Sequence, residues 1–245
     1  MKTTDNNGIN IIFDMDGVIF DTERFWLDCC IPASEEMGME GFAEVYPRCI
    51  GVTEPETWRI MMDVYGDRQL LEEMYEKAGE IFHRRYAEGG LPVKPGAREI
   101  LKWIHEQKIP VALASSTKEE IVRKELTDAG LLQYFDTITC GDHVERSKPA
   151  PDIFLEAVRR LGACRDGAAG PEAGRAAVDP AGQTDLDPAD CFVIEDSYNG
   201  IRAAAAAGTI PLMVPDMLEP TEEIRQLTSQ IFHNLFEVKE YLQQL

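Results

Sequence analysis

Five short apolar runs, at residues 9–13, 111–114, 137–140, 191–194 and 210–214, are separated by stretches long enough for helices. β-Branched residues are frequent in these runs, and a run of four or five bounded by polar or turn residues reads as a buried strand. Strands that alternate with helices form a parallel sheet covered on both faces. This alternation predicts an α/β fold with a Rossmann-like parallel sheet core. The helices between the runs are marked at residues 97–107, 118–129, 151–161 and 198–206, with Gly130 and Gly162 placed to end two of them.

The alternation breaks once. From about residue 23 to residue 88 the pattern is helix after helix, and Thr53-Glu54-Pro55-Glu56 has capping-box spacing with Pro in the first turn. Gly89-Gly90-Leu91-Pro92 then interrupts the helical pattern as a linker does. The expected organisation is a core domain of residues 1–21 and 92–245, with residues 22–91 inserted as an α-helical cap domain. Residues 163–190 have no periodicity and are rich in Gly, Ala, Pro and Asp, so a flexible loop within the core is expected there.

The chain has 24 Lys plus Arg against 44 Asp plus Glu, a formal net charge of −20. Such a chain repels phosphate polymers and anionic surfaces, and no basic run offsets the repulsion. No nucleic-acid or membrane partner is expected, and no protein partner is implied. The polar start and the short apolar run ending at Asp14 suit neither a signal peptide nor a membrane span, so a cytoplasmic location is expected. The six cysteines include no C-x-x-C pair and read as reduced core residues.

Four polar groups stand at or just after strand ends: Asp14 with Asp16, Ser115 with Ser116, Lys148, and Glu195 with Asp196. In an open parallel sheet the carboxyl ends of the strands converge on one crevice, so these distant groups are expected to meet. Asp14, Asp16 and Asp196 offer the hard oxygen ligands that Mg²⁺ prefers, and Lys148 offers a compact cation. Thr117-Lys118-Glu119-Glu120 has capping-box spacing, which puts Ser115 and Ser116 before a helix amino terminus suited to an anion. Asp-x-Asp-Gly also opens calcium loops, but Val18 stands where such a loop needs Asp or Asn. Carboxylates, a cation, a metal and an anion nest fit a transferring phosphoryl group.

Four segments carry a resemblance. Phe13-Asp14-Met15-Asp16-Gly17-Val18, Ala114-Ser115-Ser116-Thr117, Ser147-Lys148-Pro149-Ala150-Pro151-Asp152 and Ile194-Glu195-Asp196-Ser197 resemble the four motifs of the haloacid dehalogenase superfamily. They are most similar to its phosphatase and β-phosphoglucomutase-like branch. The resemblance implies that Asp14 is the nucleophile and Asp16 the general acid and base. It further implies that Ser115, Ser116 and Lys148 hold the phosphate. Asp14, the Asp16 carbonyl and Asp196 would bind Mg²⁺, with Glu195 a direct or water-mediated helper.

The implied activity is Mg²⁺-dependent hydrolysis of a small phosphomonoester, a sugar or polyol phosphate, through an aspartyl-phosphate. A sugar phosphomutase of the β-phosphoglucomutase type is the alternative, and an inactive phospho-ligand-binding module a distant one. A mutase needs cationic donors in the cap to hold a second phosphate. Trp26 and Glu54 stand where that branch has histidine and arginine, which favours hydrolysis. Trp26, Arg48 and Glu54 are the candidate selectivity residues of the cap, and Trp26, Tyr46, Trp58 and Tyr65 are candidates to stack on a sugar.

Overall fold

The computed structural model describes residues 8–50, 54–165 and 185–245. The described residues divide into two compact units, residues 1–20 with 93–245 and residues 21–92.

The larger unit is built on six parallel strands: β1 (Asn10–Phe13), β2 (Val111–Ser115), β3 (Thr137–Cys140), β4 (Cys191–Glu195), β5 (Ile210–Met213) and β6 (Gln230–Ile231). Their order across the sheet is β3-β2-β1-β4-β5-β6. The order reverses at β1, so the carboxyl ends of β1 and β4 flank the crevice where such sheets take ligands. In register, Phe13 sits opposite Leu113 on one side and Ile194 on the other, so β1, β2 and β4 end nearly level.

β1 to β4 are buried along their whole length, as expected of central parallel strands. On one face Ile12, Ala112, Ala114 and Val193 pack against Phe154, Ala157, Val158 and Leu161 of α7 (Asp152–Arg165) and Ala203 and Ala204 of α8 (Tyr198–Ala206). Small strand residues at 112 and 114 leave room for the Phe154 ring. The remaining helices of this unit are α5 (Ala97–Gln107), α6 (Glu119–Asp128), α9 (Glu222–Leu227) and α10 (Leu235–Leu242).

The smaller unit contains α1 (Thr22–Glu36), α2 (Phe42–Val45), α3 (Glu54–Tyr65) and α4 (Arg68–Gly89), with α1 and α4 as its main packing pair. Its core includes Cys30, Ala33, Met39, Phe42, Met61, Leu71, Met74 and Ala78. The Asp67 side chain caps α4 by accepting from Leu70 N at 3.1 Å.

Three local expectations need correction. Gly162 does not end α7, which continues through Arg165, because the buried side chain of Leu161 keeps that turn on the sheet. The chain end holds a sixth strand, β6, whose two residues carry no alternation to announce it. Thr117 does not cap α6, whose preceding residue is Lys118. The capping box at Thr53 and the stretch 166–184 of the expected loop lie outside the described residues, whereas 188–190 form a single 3₁₀ turn. Among the described residues no helix is long and apolar enough to cross a membrane. All six cysteines are free thiols, and Cys29, Cys30, Cys140 and Cys191 are buried.

Candidate active site

β1 delivers Asp14 to the crevice. Its backbone N–H donates to Ile194 O of β4 at 2.9 Å, and the residue is only 6% exposed. The chain then turns sharply: Met15 O accepts from Ile19 N at 2.8 Å and Phe20 N at 3.1 Å, and Gly17 N donates to Phe20 O at 2.8 Å. Gly17 has φ 79°, a conformation that favours glycine, and a Cβ there would overlap the Asp196 carboxylate. The Asp-x-Asp-Gly spacing is therefore a steric requirement of the site. Gly17 gives the Asp196 side chain its space.

β4 delivers Glu195 and Asp196. Glu195 Oε2 accepts from Asp196 N at 2.9 Å, Ser197 N at 2.8 Å and Ser197 Oγ at 3.0 Å, while Oε1 accepts from Lys148 Nζ at 2.8 Å. Ser197 Oγ in turn accepts from Gly200 N at 3.0 Å and so caps α8. Gly200 has to be glycine, because a Cβ would occupy the place of the Glu195 carboxylate.

Lys148 lies between these groups, its side chain 8% exposed. Its ammonium donates to Asp14 Oδ1 and to Ala114 O at 3.4 Å, besides Glu195, and sits 4.9 Å above the Phe154 ring. Burial works against this ammonium, but Asp14 and then Glu195 outweigh it and the pKa rises. Burial drives the Asp14 carboxyl upward. Lys148 opposes that rise, and Glu195 and Asp16 add to it. Asp196 is raised by burial, Glu195, Asp14 and Asp216. The cluster holds more negative charge than Lys148 offsets, which is the electrostatic setting of a divalent cation.

Oxygen atoms of Asp14, Glu195 and Asp196 lie within 4.8 Å of one another. This all-oxygen donor set fits a hard cation such as Mg²⁺. Glu195 already accepts four hydrogen bonds, so Asp14 and Asp196 are the freer ligands.

β2 delivers the anion side. Ser115 ends that strand fully buried, and its Oγ accepts from Thr117 N at 3.1 Å. Ser116 is exposed. The Thr117 hydroxyl donates to Asp16 Oδ2 at 3.2 Å, and the N-terminal N–H of α6, Glu119 N, is capped by Asp142 Oδ1 at 3.1 Å. The strand-end pattern thus brings Asp14, Asp16, Ser115, Lys148, Glu195 and Asp196 into one region of the larger unit.

Two contributors escaped the sequence reading. Thr117 has the sequence spacing of a cap, and Asp216, which adds to the field on Asp196, lies just beyond β5, where the same strand-end rule points. Asp216 is paired with Lys94 at 2.6 Å, the carboxylate 1% exposed. In the smaller unit Trp26 stacks on Tyr75 with centroids 6.4 Å apart, Trp58 meets the same ring edge-on at 5.8 Å, and Phe42 stacks on Tyr46 and Tyr65. These rings pack on one another within that unit. Arg48 is exposed, and Glu54 begins α3.

The sequence model described as haloacid dehalogenase-like hydrolase matches residues 11–169. A phosphorylated carbohydrates phosphatase of Thermotoga maritima is 31% identical over 198 residues, covering 81% of each chain. The fructose-1-phosphate phosphatase of Escherichia coli is 29% identical over 204 residues, 81% of this chain and 92% of that protein. The crystal structure of a hydrolase from Deinococcus radiodurans, solved with phosphate and sodium bound, shares the fold with a TM-score of 0.73 at 21% identity, covering 96% of this chain and 95% of that one.

Proposed function

Because the chain belongs to the haloacid dehalogenase-like hydrolases, we propose that it is a Mg²⁺-dependent phosphatase acting on a small phosphomonoester, a sugar or polyol phosphate, through an aspartyl-phosphate. The observation that carries this reading is the convergence of Asp14, Lys148, Glu195 and Asp196 in one buried cluster, with Asp16 held beside it by Thr117. The names of relatives, a phosphatase of phosphorylated carbohydrates and one of fructose 1-phosphate, support this substrate class.

In this reading an Asp14 carboxylate oxygen forms a bond to phosphorus as the ester P–O bond breaks. Asp16 gives its proton to the departing alkoxide, then takes one from the water that attacks the aspartyl-phosphate, releasing inorganic phosphate and free Asp14. Lys148, fixed by Glu195, offsets charge on Asp14 and the transferring group. Ser115 and Ser116 hold phosphoryl oxygens ahead of α6. Asp14 and Asp196 would hold the cation with the Asp16 carbonyl, Glu195 supporting them from behind; when bound it offsets the negative charge of the phosphoryl group. Trp26, Arg48 and Glu54 are the selectivity candidates of the helical unit, proposed as a cap. The protein is proposed to work in the cytoplasm.

The test is one incubation with Mg²⁺ and a panel of sugar and polyol phosphates, including β-glucose 1-phosphate with a trace of bisphosphate. Free phosphate and isomerised sugar phosphate are both followed. Phosphate release that EDTA stops is expected. Isomerisation without release makes the protein a mutase instead, and binding without turnover makes it a phospho-ligand module.

A further inference from the structure

Three consecutive residues of the turn after β3 grip the β2–α6 connection and the first residue of α6. Gly141 N donates to Thr117 O at 3.0 Å, and a Cβ on Gly141 would collide with Ser116 O. Asp142 Oδ1 accepts from Glu119 N at 3.1 Å. His143 Nε2 lies 2.9 Å from Glu119 Oε2, and its side chain is 14% exposed.

The tautomer of His143 follows from its other nitrogen. Nδ1 accepts from Cys140 N at 3.0 Å, so the ring proton sits on Nε2 and is donated to Glu119. The His143 N–H is bound back to Cys140 Sγ, closing the turn on itself. The second Glu119 oxygen accepts from Arg123 Nε at 2.6 Å, which ties the same carboxylate to the next turn of α6. A turn tied by these hydrogen bonds therefore holds the start of α6. Thr117, two residues before α6 begins at Glu119, is fixed with it, and its hydroxyl touches Asp16.

We propose that His143 is a positioning residue for the reaction: by holding Glu119 it sets Thr117, and Thr117 sets the carboxyl of Asp16 for proton transfer to the leaving group. The proposal rests on the reading of Asp16 as the acid and base. His143 touches neither substrate nor metal ligand in this account and acts only through Glu119.

The experiment compares kcat/KM for fructose 1-phosphate, whose alkoxide needs a proton to leave, with p-nitrophenyl phosphate, whose phenolate does not. Because kcat/KM reports only steps up to formation of the aspartyl-phosphate, it isolates the acid role of Asp16. His143→Asn keeps an acceptor near Cys140 N and loses the reach to Glu119. It is expected to lower kcat/KM about tenfold on the sugar phosphate and less than about twofold on the aryl phosphate. Glu119→Ala should show the same split, and it carries the test if the histidine variant fails to fold. Equal losses on both substrates, or no loss, overturn the proposal. Asp16→Asn serves as reference. If it shows the split and the His143 and Glu119 variants do not, the positioning role alone falls; if it shows none, the acid role of Asp16 falls and takes the proposal with it.

Discussion

Lys148 Nζ lies 2.8 Å from Glu195 Oε1, and that contact separates the buried acids of the crevice into two kinds. Glu195 is saturated, with one oxygen on Lys148 and the other on two backbone N–H groups and the Ser197 hydroxyl. Asp14 shares the same ammonium but keeps its second oxygen outside that network. A carboxylate with every acceptor used is a support; one with an oxygen to spare can attack or bind.

Glu195→Gln should therefore cost stability. The amide puts N–H groups where either backbone donors or an ammonium now point, and Glu195 is 1% exposed, so no water relieves the clash. Breaking a buried pair from one side costs roughly 3 kcal/mol. Urea unfolding should show it as a lower midpoint with an unchanged slope, and an unchanged midpoint would contradict the account.

A second prediction separates strain from crowding at two glycines with nearly the same φ. Gly17 has φ 79° and Gly208 φ 78°. A Cβ on Gly208 meets only Pro188 Cβ at 4.0 Å, whereas one on Gly17 overlaps Asp196. Both alanine variants should lose about 1 kcal/mol to the left-handed backbone. Only Gly17→Ala should also shift the Mg²⁺ concentration needed for half-maximal turnover, by about tenfold or more, as Asp196 is pushed aside. Equal Mg²⁺ curves for the two variants would remove Gly17 from the site.

The strand-end groups were legible because their positions follow from alternation alone: a strand that stops at Phe13 must place Asp14 in the crevice, and helices 97–107 and 198–206 keep their expected limits. What was not legible depends on partners far along the chain. Thr117 looks like a helix cap in sequence, yet Asp142, 23 residues from Glu119, supplies the cap and frees the hydroxyl for Asp16. The Lys94–Asp216 pair joins residues 122 apart; Asp216 stands just past a strand end, but nothing local marks Lys94 as its partner. β6 is two residues long, below any periodicity.

Glu125 on α6 gives a pH prediction. Burial, then the charge of Asp16, pushes its carboxyl up from 4.5 to about 7. Between those values the unfolded chain binds fewer protons at this group than the folded one, so its contribution to stability falls as pH rises from about 4.5 to about 7. The side chain is only partly buried, and solvent screening reduces the penalty to roughly 1 kcal/mol. Glu125→Gln removes it. Thermal unfolding should show the variant level with the parent near pH 4.5 and several degrees more stable at pH 8; a constant difference across that range would rule out titration of Glu125 as the cause.

Asp14→Asn tests the proposed nucleophile. The amide keeps the shape of the carboxylate and its backbone bond to Ile194 O, and it still offers an oxygen to Lys148. The fold should therefore survive, with an unchanged circular dichroism spectrum. Lys148 loses one of two charged partners but keeps Glu195 and the Phe154 ring. Phosphorus, in contrast, loses the proposed nucleophile, because an amide oxygen is a poor nucleophile whose phosphorylated product would carry an unfavourable positive charge. Turnover should drop by about 10³-fold or more. Binding of inorganic phosphate in Mg²⁺, read by calorimetry, should persist within about tenfold, since the lysine and the α6 side of the site are untouched. Turnover near the parent value would move the nucleophile elsewhere, and loss of phosphate binding together with turnover would make Asp14 chiefly a ligand for the metal.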